Sequence, residues 1–271
     1  MLNLHAEHFL LCVDTANHSL SCLHSFMVNG RRGSSCHGCL EYCGLLTEEY
    51  HRTVQALKQK YYPLELDTSL TQEQRVAFME EWVEQAHDAL SQAGLTKATI
   101  EQAVREANIA LRGAHAELFT ELDARAIPLL VFSAGLADVL EEVIRQHASA
   151  PLPAGAHVIS NRMSFEPANG GFIGFTGQLF HVFNKRAGAV LDEPYFMSEE
   201  VKLRRNVLLL GDSLGDLQMA SGLEADEVLS VGFLNDQAEE RIGSYLAGYD
   251  VVIIGPDAGL QYALDLVREL K

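Results

Sequence analysis

The sequence predicts an α/β domain built on a parallel sheet, interrupted near its start by a block of helices. Two observations lead to this fold class. Short apolar runs in the second half of the chain alternate with polar or helical segments, as in a parallel sheet covered on both faces. Before most of those runs, residues 46–119 show only helical periodicity. We therefore divide the chain into an atypical N-terminal segment with the start of the core (1–45), a helical insertion (46–119) and the α/β core (120–271).

The helical block divides into three predicted helices. Thr47 is placed to cap the first, which has glutamates in its opening turn and which Pro63 is expected to end. Thr71 and Gln74 form a capping-box pattern ahead of the second helix, and Gly94 follows that helix. Apolar residues recur at helical spacing through the second and third helices: Val76, Met79, Trp82, Val83, Ala86, Ile100, Val104 and Leu111.

Apolar runs in the rest of the chain predict the strands of the core. They are IPLLVF (127–132), HVIS (157–160), NVLLL (206–210), EVLSVG (227–232) and DVVII (250–254). The segment LADVLEEVIRQH (136–147) has the pattern of an amphipathic helix directly after the first of these runs. Strand followed by helix is the repeating unit of a doubly wound sheet.

Bulk composition limits the classes of partner and location. A formal charge of −17 argues against a nucleic-acid polymer, which usually needs a basic face. No segment approaches the roughly 18–20 apolar residues of a membrane span, and HFLLCV lacks the features of a signal peptide. The cysteines are odd in number and all lie in the first 43 residues, at Cys12, Cys22, Cys36, Cys39 and Cys43. We expect a cytoplasmic protein with no membrane partner, because this cysteine usage fits a reduced, intracellular protein and no membrane span is predicted.

Polar side chains follow the predicted strand ends, where parallel sheets bind ligands. Ser133 ends VFSAG, and its hydroxyl with the next backbone N–H groups is suited to a phosphate. Asp212 and Asp216 follow NVLLL, and Lys185 in HVFNK supplies a positive charge. Together these groups describe a Mg²⁺-assisted phosphoryl-transfer site. Taken singly, Ser133 is also a plausible helix cap, Lys185 a surface lysine, and Gly-Asp-Ser ordinary turn chemistry.

Four segments in this order resemble one enzyme family. VFSAGLADVLEEVIRQ, FTGQLFHVFNK, LLLGDSLGDLQMA and VGFLND are similar to the cytosolic 5′-nucleotidase III (pyrimidine 5′-nucleotidase) family of the haloacid dehalogenase superfamily. The resemblance extends from about residue 26 to the C-terminus. It implies a Rossmann-like core with an α-helical cap inserted after the first strand. It also implies Mg²⁺-dependent hydrolysis of a nucleoside 5′-monophosphate such as CMP, UMP or 7-methyl-GMP.

By the same resemblance, motif positions assign roles to residues of this chain. Ser133 and Ala134 take the phosphate-binding positions, Lys185 the lysine position, Asp212 the metal position, and Asp216 a supporting position beside the metal. In the cap, YYPLELD places Glu65 where the family contacts the nucleobase, and EEWVEQAH places Trp82 and Ala86 along the base pocket. Val83 stands where the family pattern has an aromatic residue and Ala86 where it has a serine, which leaves the base preference open.

The family's first motif, DFDxTLS, has no counterpart in this sequence. Its first aspartate attacks phosphorus and its second serves as general acid and base. Counting back from FMVNGRR without a gap puts HSLSCLH (18–24) in its place, so that His18 and Leu20 replace the two aspartates. Alternatively, FLLCVD is the first strand and Asp14 the nucleophile, with Ala16 at the acid/base position.

Two alternatives to an active nucleotidase follow from these observations. One is a catalytically impaired, nucleotide-binding relative without the nucleophilic aspartate. The other is a zinc-stabilised interaction protein, since Cys36, His37, Cys39 and Cys43 place four potential zinc ligands within eight residues. Zinc ligands usually come as two separated pairs, however, and an ordinary thiol-bearing loop explains the same residues.

Overall fold

The computed structural model of the protein describes residues 5–14, 27–28, 31–67 and 69–271. In that part of the chain seven strands form one sheet, in the order β6-β5-β4-β1-β7-β8-β9. These strands are β1 (Phe9–Val13), β4 (Leu129–Leu136), β5 (Ala156–Phe165), β6 (Phe172–Thr176), β7 (Asn206–Gly211), β8 (Glu227–Leu234) and β9 (Val251–Ile254). A separate antiparallel pair consists of β2 (Met27–Val28) and β3 (Arg31–Arg32). All neighbours in the large sheet are parallel except β5 and β6, so the predicted α/β class is confirmed.

The helices lie between and around the strands. Those before β4 are α1 (Cys36–Glu41), α2 (Glu48–Leu66), α3 (Gln72–Ser91), α4 (Lys97–Glu106) and α5 (His115–Ala124). Those after it are α6 (Ala137–His147), α7 (Pro194–Met197), α8 (Glu199–Lys202), α9 (Ala238–Gly248) and α10 (Gln261–Glu269). Two large clusters of buried apolar side chains contain alternate residues of the central strands, one cluster on each face of the sheet. Among the described residues, no helix is both long enough and apolar enough to cross a bilayer.

The first strand is β1, and it occupies the centre of the sheet. All five of its residues are buried, and it pairs with β4 on one side and β7 on the other. A run of consecutive apolar residues is what a strand covered on both faces requires. FLLCVD therefore supplies the first strand, and Asp14 follows its last residue. The gap-free alignment, which puts the strand end near His18, is wrong in this respect; His18 and Leu20 themselves lie outside the described residues.

The predicted helix caps are present in the helical block. The Thr47 hydroxyl accepts a hydrogen bond from the N–H of Tyr50 at 3.3 Å. Thr71 and Gln74 form the reciprocal capping box, with distances of 2.9 and 3.3 Å. Pro63 does not end α2, which continues to Leu66. A proline in the last turn of a helix removes only one hydrogen bond, and here the helix tolerates that loss.

The sheet edge and the helical block are joined by a hairpin that sequence patterning did not predict as such. Strand β6 pairs antiparallel with β5, and the N–H of Phe172 donates to the carbonyl of Leu95 at 2.9 Å. Just beyond, the N–H of Lys97 donates to the carbonyl of Gly170 at 3.1 Å. The His87 ring of α3 stacks on Phe175 with centroids 3.6 Å apart. The helical block is thus fixed to the core along one side by backbone hydrogen bonds as well as by packing.

Candidate active site

Three parallel strands deliver polar residues to one edge of the sheet. Asp14 follows β1, Ser133 lies in β4, and Asp212 follows β7. Because β1 pairs with both β4 and β7, their carboxyl ends lie side by side. This is the edge at which open α/β sheets bind ligands. The topology therefore brings Asp14 together with the residues that the sequence assigned to a phosphoryl-transfer site.

A cluster of carboxylates forms at this edge. Asp14, Asp212 and Asp216 each place one carboxylate oxygen within 4.8 Å of those of the other two. Each of these side chains is buried. Lys185, which is 1% exposed, lies between two of them, with its Nζ 2.9 Å from Asp14 Oδ1 and 2.6 Å from Asp216 Oδ1. Lys185 is therefore a buried member of the cluster, and the interpretation of a surface lysine is wrong.

Asp216 holds the turn that carries Asp212. Its Oδ2 accepts hydrogen bonds from the backbone N–H groups of Asp212 and Ser213, both at 2.8 Å, while its Oδ1 accepts from Lys185. The 3₁₀ turn Leu214–Gln218 brings the carboxylate back over the end of β7. Gly211 leaves room for it, because a Cβ there would lie 2.6 Å from Asp216 Cβ. Asp216 therefore stabilises the loop as well as the charge of Lys185.

The charges in the cluster depend on one another. Burial alone would disfavour the charged lysine, but the neighbouring Asp14 and Asp216 carboxylates outweigh it and raise the pKa of Lys185. Burial, followed by the Asp216 and Asp14 carboxylates, raises the pKa of Asp212 well above its ordinary value. The three converging carboxyl groups beside a single lysine form a set of hard oxygen donors. Mg²⁺ prefers such donors, so the residues present fit the predicted cofactor.

Ser133 and Ala134 lie in an irregular part of β4. Ser133 is fully buried, Ala134 is partly exposed, and the Ser133 hydroxyl accepts a hydrogen bond from the N–H of Gly135 at 3.0 Å. The following helix, α6, begins at Ala137 with no side-chain cap. Ser133 is therefore not a helix cap. Its position at the sheet edge agrees with the phosphate-binding role that the sequence suggests.

The predicted base-binding residues lie on α2 and α3 of the helical block. Trp82 stacks on the fully buried Tyr61 with centroids 5.9 Å apart. Trp82 and Ala86 belong to one apolar cluster that also includes Val182 and Phe183, just ahead of Lys185. Glu65 is partly buried; burial raises its pKa to about 6, and the charge of Lys185 opposes that rise. Helix α3 thus packs against the segment that leads to Lys185, beside the carboxylate cluster.

Sequence patterning missed several contributors to this arrangement. Val182 and Phe183 carry no catalytic signal, although they pack α2 and α3 against the segment that leads to Lys185. Gly215 is needed because a Cβ there would lie 2.6 Å from the carbonyl of Val182. Arg112 is 2% exposed and donates to Asn235 Oδ1 at 2.7 Å, which links the end of the helical block to VGFLND. Each depends on a contact distant in sequence, which local patterns do not report.

The cysteine-rich segment has a different geometry from the one a zinc site needs. Cys36, Cys39 and Cys43 are buried, and Cys43 Sγ lies 3.2 Å from the carbonyl of Leu40. Among the described residues, a group of at least three potential metal ligands close together is found at Asp14, Asp212 and Asp216. The Cys36–Cys43 segment contains no such group. The structure therefore gives no support to a zinc-stabilised protein.

Comparison with known proteins identifies the family. The model of the pyrimidine 5′-nucleotidase (UMPH-1) family matches residues 21–271, a range that begins after Asp14. The 7-methylguanosine phosphate-specific 5′-nucleotidase of Homo sapiens is 41% identical over 85% of this chain and 76% of its own length. The crystal structure of cytosolic 5′-nucleotidase IIIB bound to cytidine is 28% identical, with a TM-score of 0.84 over 98% of this chain and 87% of that one.

A more distant structure shows the same fold. A haloacid dehalogenase family hydrolase from Salmonella enterica superposes with a TM-score of 0.54 over 98% of this chain and 72% of that one, at 13% identity. The Rossmann-like core predicted from the sequence is thereby confirmed at the level of fold. From the family match, the identity to the human enzyme and the shared architecture, the chain belongs to the pyrimidine 5′-nucleotidase (UMPH-1) family, a family of hydrolases with the haloacid dehalogenase fold.

Proposed function

We propose that this chain is a 5′-nucleotidase that hydrolyses nucleoside 5′-monophosphates to nucleoside and phosphate, with Asp14 as its nucleophile. The observation that carries the proposal is the position of the Asp14 carboxylate. It lies at the end of the central strand, 2.9 Å from Lys185 Nζ and within the cluster of Asp212 and Asp216. Membership of a 5′-nucleotidase family supports the reaction class.

In the proposed mechanism, a carboxylate oxygen of Asp14 attacks phosphorus and the bond from phosphorus to the 5′-oxygen breaks. The nucleoside leaves, and the phosphoryl group remains on Asp14 as an acyl phosphate. Water then attacks phosphorus, which releases inorganic phosphate and restores the carboxylate. The ammonium group of Lys185 neutralises negative charge on the phosphoryl oxygens. The Ser133 hydroxyl and the backbone at Ala134 orient the same group.

The carboxylates also provide the site for the proposed cofactor. Asp14 and Asp212 would hold Mg²⁺, with Asp216 supporting them through its contacts to Lys185 and to the Asp212 backbone. When bound, Mg²⁺ would offset negative charge on the phosphoryl group. The donor set of three converging carboxyl groups supports this assignment.

The sequence identifies no side chain that would donate a proton to the leaving oxygen. The family's acid/base aspartate stands two residues after the nucleophile, and this chain has Ala16 there. General acid–base catalysis typically contributes about 10²–10⁴-fold in rate. With water as the proton donor, we expect slow but measurable turnover.

The substrate class follows from the cap and from the relatives. Glu65 on α2 is suited to a base that donates hydrogen bonds, and Trp82 on α3 is suited to a base that stacks on an aromatic ring. The human relative is named for 7-methylguanosine phosphate, and the solved cytosolic nucleotidase holds cytidine. CMP, UMP and 7-methyl-GMP are therefore the substrates to compare. The name of the solved relative also supports a cytoplasmic location, and the charge of −17 supports a small nucleotide over a nucleic-acid polymer.

A second candidate function is nucleotide binding without effective catalysis. The observation that favours it is Ala16, because an alanine cannot transfer a proton. In this case the Asp212 and Lys185 cluster would hold the phosphate of a nucleotide that is released unchanged.

The experiment that separates these functions measures phosphate release from CMP and 7-methyl-GMP with Mg²⁺. Wild type is compared with Asp14→Asn and with Asp257→Asn, a matched change at an exposed aspartate. We expect Asp14→Asn to lower turnover by about 10⁴–10⁶-fold, or to background, and Asp257→Asn to leave it unchanged. Acid-quenched wild type should also contain a phosphorylated peptide spanning Asp14. Turnover that survives Asp14→Asn would refute the assignment of the nucleophile.

A further inference from the structure

The phosphate-binding part of β4 is a bulge. Phe132 pairs with Ile159 and Leu136 pairs with Asn161, so four steps along β4 oppose two along β5. Between these pairs, the three residues Ser133 to Gly135 lie opposite the single residue Ser160, so β4 has two extra residues here. A bulge removes backbone groups from the ladder, and buried carbonyls then need other donors. What donates to the carbonyls of Ala134 and Gly135 therefore determines the shape of this segment.

The side chain of Asn161, which is 1% exposed, donates to both carbonyls, and the Ser160 hydroxyl also donates to that of Gly135. Asn161 Nδ2 lies 3.1 Å from the carbonyl oxygen of Ala134, 3.0 Å from that of Gly135 and 3.0 Å from that of Phe180. Its Oδ1 accepts from the N–H of Phe180 at 2.8 Å. Three carbonyl oxygens on one side and an N–H on the other fix the orientation of the amide.

Phe180 opens the loop that leads to Lys185. The far end of this loop is fixed by backbone hydrogen bonds, from Ala187 N–H to the Met219 carbonyl at 3.0 Å and from Gly188 N–H to the Ser221 carbonyl at 2.8 Å. At the near end, both backbone groups of Phe180 bond to Asn161. One buried amide thus connects the phosphate-binding bulge to the loop that carries the catalytic lysine.

We infer that Asn161 is a positioning residue that sets the distance between the Ser133–Ala134 bulge and Lys185. The inference rests on the proposed function, because it concerns the two elements that would grip the phosphoryl group from opposite sides. A displacement of about 1 Å between such groups can cost on the order of 10²-fold in rate. Asn161 acts through the bulge and the lysine loop and is not itself placed on the substrate.

The test compares two substitutions of Asn161 with one of its neighbour. Asn161→Asp keeps the size but puts an oxygen opposite three carbonyl oxygens, and Asn161→Ser shortens the side chain so that it cannot span both elements. Ser160→Ala is the matched control. The Ser160 hydroxyl donates to the same Gly135 carbonyl at 2.9 Å but has no described hydrogen bond to the lysine loop.

Two readouts are needed, one of which does not depend on turnover. For CMP hydrolysis, we expect kcat to fall about 10²-fold in both Asn161 variants while KM changes less than about threefold, since the cap still holds the base. For the second readout, reductive methylation followed by mass spectrometry reports the accessibility of Lys185, which is 1% exposed. We expect Lys185 to be labelled several-fold faster in the Asn161 variants and at the wild-type rate in Ser160→Ala.

The outcomes separate this inference from the proposed function. If wild type releases no phosphate, the proposed function fails, and the labelling of Lys185 still tests the role of Asn161. If wild type is active but the Asn161 variants match Ser160→Ala in both kcat and labelling, the inference is overturned. Loss of a cooperative thermal transition in both Asn161 variants would also overturn it, because Asn161 would then support the whole domain.

Discussion

Glu65→Gln should stabilise the protein while lowering its affinity for the nucleobase. Burial raises the pKa of Glu65 from an ordinary 4.5 to about 6. Because the folded state holds the proton more tightly, ionisation of Glu65 lowers stability as pH rises above 4.5, and the full cost is reached above about pH 6. A shift of this size corresponds to about 2 kcal/mol, since one pKa unit is worth about 1.4 kcal/mol. Glutamine keeps the shape and removes the charge, so it recovers that amount at neutral pH.

At low pH the stability gain of Glu65→Gln over wild type disappears, but it does not change sign. As pH falls from 6 to 4.5, Glu65 becomes protonated in the folded and then in the unfolded protein, and the two variants converge. Urea unfolding at pH 8 should show Glu65→Gln more stable by about 2 kcal/mol, with a gain of less than about 1 kcal/mol at pH 5. The corresponding rise in Tm at pH 8 is roughly 4–8 °C.

A matched variant isolates the effect of burial. Glu84→Gln changes an exposed carboxylate on α3 and should leave unfolding at both pH values within about 0.5 kcal/mol of wild type. Equal stability of wild type and Glu65→Gln at pH 8, or an equal gain from Glu84→Gln, would refute the argument from burial. In parallel, KM for CMP should rise in Glu65→Gln, so that stability and recognition change in opposite directions.

Three further changes test other parts of the site. Ala16→Asp should raise CMP turnover by about 10²–10⁴-fold by supplying a proton donor, and a phosphate-release rate equal to wild type would remove that role from position 16. Gly211→Ala should destabilise the protein by about 1–3 kcal/mol in urea unfolding, because its Cβ would lie 2.6 Å from Asp216 Cβ; an unchanged midpoint would contradict the tight approach. Trp82→Ala should raise KM for CMP by roughly 10-fold with little change in affinity for inorganic phosphate, and a parallel loss of phosphate affinity would show that the effect is not confined to the base.

The strands and caps could be predicted because their signals are local. The segments NVLLL and DVVII each contain four consecutive apolar residues, and those residues lie in strands β7 and β9. Thr71 and Gln74 form their capping box because both partners lie within one turn. Asp212, Lys185 and Ser133 could be proposed together because parallel strands end at one edge, although the 2.6 Å contact of Lys185 with Asp216 depends on the path of a loop.

What could not be predicted depends on contacts distant in sequence. Counting residues back from a matched segment gave the wrong end for the first strand, because the count ignores which apolar run can be buried between β4 and β7. Strand β6 was missed because FIGFT is half exposed and contains a glycine. The hydrogen bonds of Asn161 could not be predicted from local sequence, because its partners lie on the bulge at Ala134 and in the loop at Phe180.

The central position of β1 in the sheet determines how thermal unfolding should affect the proposed active site. Residues Leu11 to Val13 are paired with β4 on one side and β7 on the other, so their amide hydrogens exchange only when the middle of the domain opens. The proposed nucleophile, Asp14, is attached directly to this segment and its own N–H bonds to the Leu210 carbonyl at 3.1 Å. The proposed nucleophile is therefore attached to the segment whose amide hydrogens should exchange most slowly. On heating, we expect activity to be lost only at the temperature at which the whole sheet unfolds.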